Sequence, residues 1–141
     1  MKKDELVRFG ISMESSLLGA FDELITAKGY TNRSEAIRDL IRDQLITETV
    51  QDMDATVVGI LFYVYDHHIR ELESNLTAFQ HHFYHSIISS THIHLDHDHC
   101  LELTIIKDRA GKIQEIAEHI LSMKGVRYGK LMLTSVDALP G

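Results

Sequence analysis

The chain has 141 residues, 44% of them apolar and 25% charged, with a net charge of −7. That balance suits one ordinary domain or two small ones and excludes a disordered polymer. No stretch reaches the roughly 18 apolar residues of a membrane-spanning helix, and a single cysteine excludes an intrachain disulfide.

Met1-Lys2-Lys3-Asp4-Glu5 lacks the apolar core of a secretory leader, so a cytoplasmic protein is expected. From Val7 to Met13, apolar residues alternate with Arg8, Gly10 and Ser12, the period of a half-buried strand. A helix is predicted from Ser15 to Lys28, with Leu17, Leu18, Phe21, Leu24 and Ile25 on one stripe and Gly29 closing it. A second helix opens at Asn32, where Glu35 stands at capping-box spacing. It should bury Ile37, Leu40, Ile41 and Leu45. One strand and two helices in about fifty residues cannot cover their own apolar faces. A second copy of the unit is the simplest cover; the alternative is that the strand joins the C-terminal sheet of its own chain.

Residues 51–55 are a polar break, so residues 1–50 and 51–141 read as two domains. Strands are expected at Thr56–Tyr65, Ile87–Asp96, Cys100–Lys107 and Val126–Val136. Helices are expected at His67–Tyr84, with Ile69, Leu72, Leu76, Phe79 and Phe83 inward, and at Ala110–Lys124, with Ile113, Ile116, Ala117, Ile120 and Leu121 inward. The fold class is therefore α+β, and the order βαββαβ is the ferredoxin-like plan, shared with sensing domains of the ACT type. That plan hosts many functions and selects none.

Nine of the ten histidines lie between His67 and His99, and neutral imidazole is the commonest metal ligand. Most of the nine can be ordinary surface residues. The segment from His92 to Glu102 is different. His92 and His94, two apart on a strand, share a face. With a three-residue turn at Asp96-His97-Asp98, His94 stands opposite Cys100 and His92 opposite Glu102, about 5 Å apart at Cβ. A two-residue turn would put Cys100 on the other face. On the preceding helix, His81 and His85 point away from the apolar stripe and are available to another chain. A set of imidazoles with one thiolate suits Ni(II) or Cu(II) in a planar arrangement and Zn(II) in a tetrahedral one.

Arg8-Phe9-Gly10-Ile11-Ser12, Gly29-Tyr30-Thr31-Asn32-Arg33-Ser34-Glu35-Ala36-Ile37-Arg38-Asp39, Tyr63-Val64-Tyr65-Asp66-His67, Gln80-His81-His82, His92-Ile93-His94, Cys100-Leu101-Glu102 and Lys124-Gly125-Val126-Arg127-Tyr128-Gly129 together resemble the NikR family of nickel-responsive repressors over nearly the whole chain. The resemblance implies an N-terminal ribbon-helix-helix DNA-binding domain and a C-terminal metal-binding domain. It implies a planar Ni(2+) site of His92, His94 and Cys100 from one subunit and His81 from a neighbour, in a homotetramer that is a dimer of dimers. Glu102 falls where the family keeps a carboxylate that orients a ligand imidazole. Glu35 and Asp39 fall where some members hold a K(+) ion between domains.

The implied partner is double-stranded DNA with two half-sites. A two-chain ribbon would enter the major groove with Arg8, Gly10 and Ser12 toward the bases. Arg8 can make a bidentate contact with guanine and Ser12 can reach several base edges. Gly10 stands where some members carry a hydroxyl residue, so the operator sequence need not be shared. Asn32, Arg33 and Ser34 lie at a helix N-terminus suited to a phosphate, with a solvated surface arginine the plain alternative for Arg33. Arg70 is a further candidate for backbone phosphate. Residues 1–50 carry seven Lys/Arg and nine Asp/Glu, so nonspecific attraction should be weak and metal is expected to promote operator binding. The competing readings are a regulator of copper, zinc or cobalt, a metal store, and a metalloenzyme. An enzyme is not expected, because beyond Glu102 no spare general base is evident. A store would have no need of the N-terminal fifty residues.

Overall fold

The computed structural model describes residues 3–140 and divides into an N-terminal unit that reaches Leu45 and a larger unit, Ile46–Ala138. In the first unit, helix α1 spans Ser15–Ala27 and helix α2 begins at Arg33, running on to Gln51. Gly29 adopts a left-handed φ of 88°. That turn lets the amides of Gly29 and Tyr30 reach back to the carbonyls of Thr26 and Ile25 at 3.0 and 2.9 Å, which ends α1 where glycine is favoured. Asn32 Oδ1 accepts from the Glu35 amide at 2.8 Å, the expected cap on α2. The Glu35 carboxylate does not complete a capping box but turns along the helix to Arg38 and Arg42.

Residues 3–14 belong to no strand, and Leu6, Phe9 and Ile11 are 80%, 72% and 61% exposed. The N-terminal segment therefore does not join the C-terminal sheet, whose four strands are all from the larger unit. A lone strand has no ladder to enter, which is why the expected strand is absent from one chain. The same lack of a partner corrects the expected burial on α2. Leu40, Ile41 and Leu45 are exposed and Ile37 is half-buried, so Ile25 and Ala36 are the buried apolar residues of this unit among those described.

The larger unit continues with β1 (Thr56–Asp66), α3 (Leu72–His82), β2 (Ile87–His94), β3 (His99–Arg109), α4 (Ala110–Leu121) and β4 (Val126–Thr134). The strands form one antiparallel sheet in the order β2-β3-β1-β4, the ferredoxin-like arrangement expected. Alternation places Val57, Leu61, Tyr63 and Tyr65 of β1 beside Cys100, Thr104 and Ile106 of β3 on one buried face. The helices cover that face. On α4, Ile113, Ile116 and Ile120 are fully inside, each contributing about 1.5–3 kcal/mol relative to exposure. On the opposite face of the sheet Ile93, Leu103, Tyr128 and Met132 remain exposed, so this chain leaves one apolar face uncovered.

Helix α3 starts later than the apolar period indicates. Asp66 Oδ1 accepts from the His68 amide at 2.9 Å, a local turn that competes with helix. Glu71, just before the helix, has a left-handed φ of 68°. Together these fold residues 67–71 into a compact turn at the end of β1, close to the β2–β3 connection.

Candidate metal centre

The site is built on the β2–β3 hairpin. Asp96 Oδ1 accepts from the amides of Asp98 and His99, both at 2.8 Å, while the Leu95 amide donates to the His99 carbonyl at 2.9 Å. This pins a three-residue turn at 96–98. The register that follows pairs His94 with Cys100 and His92 with Glu102, as the odd-length turn requires. His94 Nδ1 lies 3.4 Å from Cys100 Sγ, and the rings of His92 and His94 are 5.2 Å apart.

Strand β1 and its following turn supply what surrounds the hairpin. Tyr65 pairs with Cys100, and its hydroxyl is 3.0 Å from His92 Nδ1. His67 places its Nδ1 3.7 Å from Cys100 Sγ. One ligand atom each from His67, His94 and Cys100 lie within 4.8 Å of one another, and the same holds for Glu73, His92 and Cys100. Burial, with the charge of Glu73 behind it, pushes the Cys100 thiol above its ordinary pKa. A buried thiol facing imidazole nitrogens fits a borderline-soft transition ion, whose binding replaces the thiol proton. The residues present therefore fit a nickel-type ion.

Glu102 is 8% exposed and lies directly across from His92 in the ladder. Its Oε1 accepts from Gln80 Nε2 at 2.7 Å and from Ser90 Oγ at 2.6 Å. Gln80 also donates to the Tyr63 hydroxyl at 2.8 Å. Burial, reinforced by the Glu102 charge, raises the Tyr63 phenol well above its ordinary pKa and keeps it neutral. His81 follows Gln80 on the last turn of α3, exposed and stacked near Tyr84 at 6.1 Å. It joins no group of potential ligands among the described residues.

Sequence reasoning brings His92, His94, Cys100 and Glu102 to one patch, and the structure places them there. It misses Tyr65, His67, Glu73, Gln80 and Ser90. The Tyr65-Asp66-His67 run at the end of a β-branched strand is a usable signal for Tyr65 and His67; nothing in the spacing marks Glu73 or Ser90.

The N-terminal candidates are arranged less openly. Arg8, Gly10 and Ser12 are exposed on the extended segment, and Asn32 and Ser34 are exposed at the start of α2. Arg33 is not a free cation: it forms a two-pronged pair with Asp22 of α1, at 2.8 Å for each bond. Arg70 is exposed in the turn before α3. The Glu35 and Asp39 carboxylates lie 3.6 and 2.9 Å from Arg42, and Asp39 also accepts from the Tyr30 hydroxyl at 2.6 Å. In this arrangement both carboxylates are paired with arginine.

Residues 58–134 match the model of the NikR C-terminal nickel-binding domain, and residues 7–48 match the ribbon-helix-helix family of the copG type. A protein of Solibacter usitatus named as a candidate nickel-responsive regulator is 48% identical over 94% of this chain and 96% of its own length. A protein of Trichlorobacter lovleyi with the same description is 49% identical over 93% and 94%, and one of Caldanaerobacter subterraneus is 48% identical over 92% and 84%. The two matched regions define a regulator with a ribbon-helix-helix segment ahead of a metal-sensing domain. The chain belongs to the NikR family of nickel-responsive regulators.

Proposed function

We propose that this chain is a transcriptional repressor that binds its operator when Ni(II) is held by His92, His94 and Cys100 of one chain and His81 of a neighbour. The observation that carries the reading is the 3.4 Å approach of His94 Nδ1 to a buried Cys100 thiol across the ladder. Bound there, the ion would cross-link the β2–β3 hairpin of one chain to α3 of another. The Tyr65 hydroxyl engages His92 Nδ1 and orients that ring. Glu102 holds Gln80, the residue before His81, so the end of α3 is fixed relative to the hairpin.

A homotetramer, as a dimer of dimers, supplies the second chain in this reading. It is supported by the uncovered apolar sheet face and by the exposed apolar residues of the N-terminal unit. Paired N-terminal segments would present Arg8, Gly10 and Ser12 to two half-sites of double-stranded DNA, with Asn32, Ser34 and Arg70 toward phosphates. Arg33 adds to this only by leaving Asp22. A K(+) ion on Glu35 and Asp39 likewise requires Arg42 to turn away. A cytoplasmic location accords with DNA as partner, and among the described residues no helix is long and apolar enough to cross a membrane.

The test is Ni(II) titration of the full chain, followed by thiolate-to-nickel absorption and operator binding at fixed salt. Cys100→Ala and His94→Ala should lose both. Equal operator affinity of nickel-free and nickel-loaded protein would refute the mechanism. A second reading has His67 close the site within one chain, on the strength of its 3.7 Å distance to Sγ. In that case His67→Ala, and not His81→Ala, would abolish tight binding.

A further inference from the structure

We propose that His68, His97 and Asp98 form a second metal site, at the surface, for a first-row divalent transition ion. His68 belongs to the turn after β1, whereas His97 and Asp98 belong to the β2–β3 turn. One ligand atom from each lies within 4.8 Å of the others. Asp98 Oδ1 is shared: it is 3.1 Å from His68 Nε2 and 3.1 Å from His97 Nδ1. The two rings are 5.3 Å apart with a 36° tilt, so both imidazoles aim at one carboxylate oxygen from neighbouring positions.

None of these donors belongs to the thiolate centre. The two turns are held together before any ion arrives, because the His67 amide donates to the Asp98 carbonyl at 3.1 Å. Each turn is also fixed internally, by Asp66 Oδ1 on the His68 amide and by Asp96 Oδ1 on the Asp98 amide. Two further carboxylates, Asp66 and Asp96, flank the three donors; Arg127 lies 3.8 Å from Asp66, and the His99 ring nitrogen lies 2.9 Å from Asp96. Two imidazole nitrogens and one carboxylate oxygen favour Ni(II), Cu(II) or Zn(II) over the oxygen-seeking Mg(II) and Ca(II). All three side chains are exposed, so water completes the coordination and binding is weaker than at the thiolate. Occupancy would staple together the two turns on either side of Cys100.

The test is calorimetric titration of the full chain with Ni(II) beyond one equivalent, with thiolate-to-metal absorption recorded in parallel. The first equivalent should raise that absorption and a second, weaker one should not. His68→Ala and His97→Ala should each weaken the second equivalent by at least about tenfold and leave the thiolate absorption intact, whereas His85→Ala should change neither. The site is overturned if there is no second equivalent, if it survives both substitutions, or if His85→Ala removes it equally. Failure of the thiolate absorption itself would count against the first centre and would leave the His68 and His97 comparison readable by heat.

Discussion

Gln80 of α3 donates to Glu102 of β3 at 2.7 Å, and the same carboxylate oxygen accepts from Ser90 of β2 at 2.6 Å. Three elements around the candidate metal centre are thus tied at one nearly buried oxygen. A charge in such a place is tolerable only because donors converge on it.

Removing this support should weaken the centre without removing a ligand. Gln80→Ala is expected to lower Ni(II) affinity about 10–100-fold, the usual effect of groups that orient ligands. Glu102→Ala should do so and also destabilise the fold, because each donor left unpaired costs about 1–3 kcal/mol. Calorimetric affinity with a denaturation midpoint separates the two effects. Unchanged affinity in both variants would show that the carboxylate is only structural.

The odd-length turn makes a sharper demand. Deleting His97 leaves two residues between Leu95 and His99, and side chains alternate faces along a strand. Either Cys100 or the His92/His94 pair must then turn to the other side of the sheet. The expected result is complete loss of thiolate-to-metal absorption in a protein that still unfolds cooperatively. Retained absorption would mean that the register of the hairpin does not set the site.

The Asp22–Arg33 pair gives the N-terminal unit an acid limit. The Arg33 hydrogen bonds hold the Asp22 carboxyl below its ordinary range. A folded-state pKa below the unfolded one contributes stability above the unfolded value, about 3.9, and loses it as pH falls through the folded value. Amide protection of α1 and α2 should therefore drop on acidification below about pH 4. Asp22→Asn should start lower and lose less. An identical pH profile in the variant would show that the pair contributes nothing.

Two N-terminal substitutions should separate reading from assembly. Arg8→Ala should cost about 1–3 kcal/mol of operator discrimination and relax preference at one base position. Ile11→Asp should abolish operator binding altogether by placing a charge in the apolar row, yet leave thiolate absorption intact. Gel-shift titrations against operator variants would check both. An Ile11→Asp protein with native DNA affinity would exclude a ribbon built from this segment.

Much of the metal-sensing unit was legible because its determinants are short-range. The two-residue period of His92 and His94, with an odd turn before Cys100, is enough to put three candidate ligands on one face. The inward set of α4 follows from its 3.6-residue spacing alone. His67 and Tyr65 were harder, since their approach to the hairpin depends on the pairing of β1 with β3 and on the turn at Asp66. That same turn delays α3 to Leu72, where apolar spacing had started it at His67. In the N-terminal unit the patterns of Val7–Met13 and of Leu40, Ile41 and Leu45 describe faces that a single chain leaves open. Periodicity reports that a face needs cover; it does not say which molecule supplies it.

The open apolar row of Val7, Phe9 and Ile11 has a consequence for dosage. A recognition element completed only by a second chain is governed by mass action. While chains are scarce, its abundance rises with the square of their concentration. On the proposed reading, operator occupancy would then register how many copies of the protein a cell holds as well as how much nickel. A modest fall in synthesis would release the promoter more steeply than in proportion.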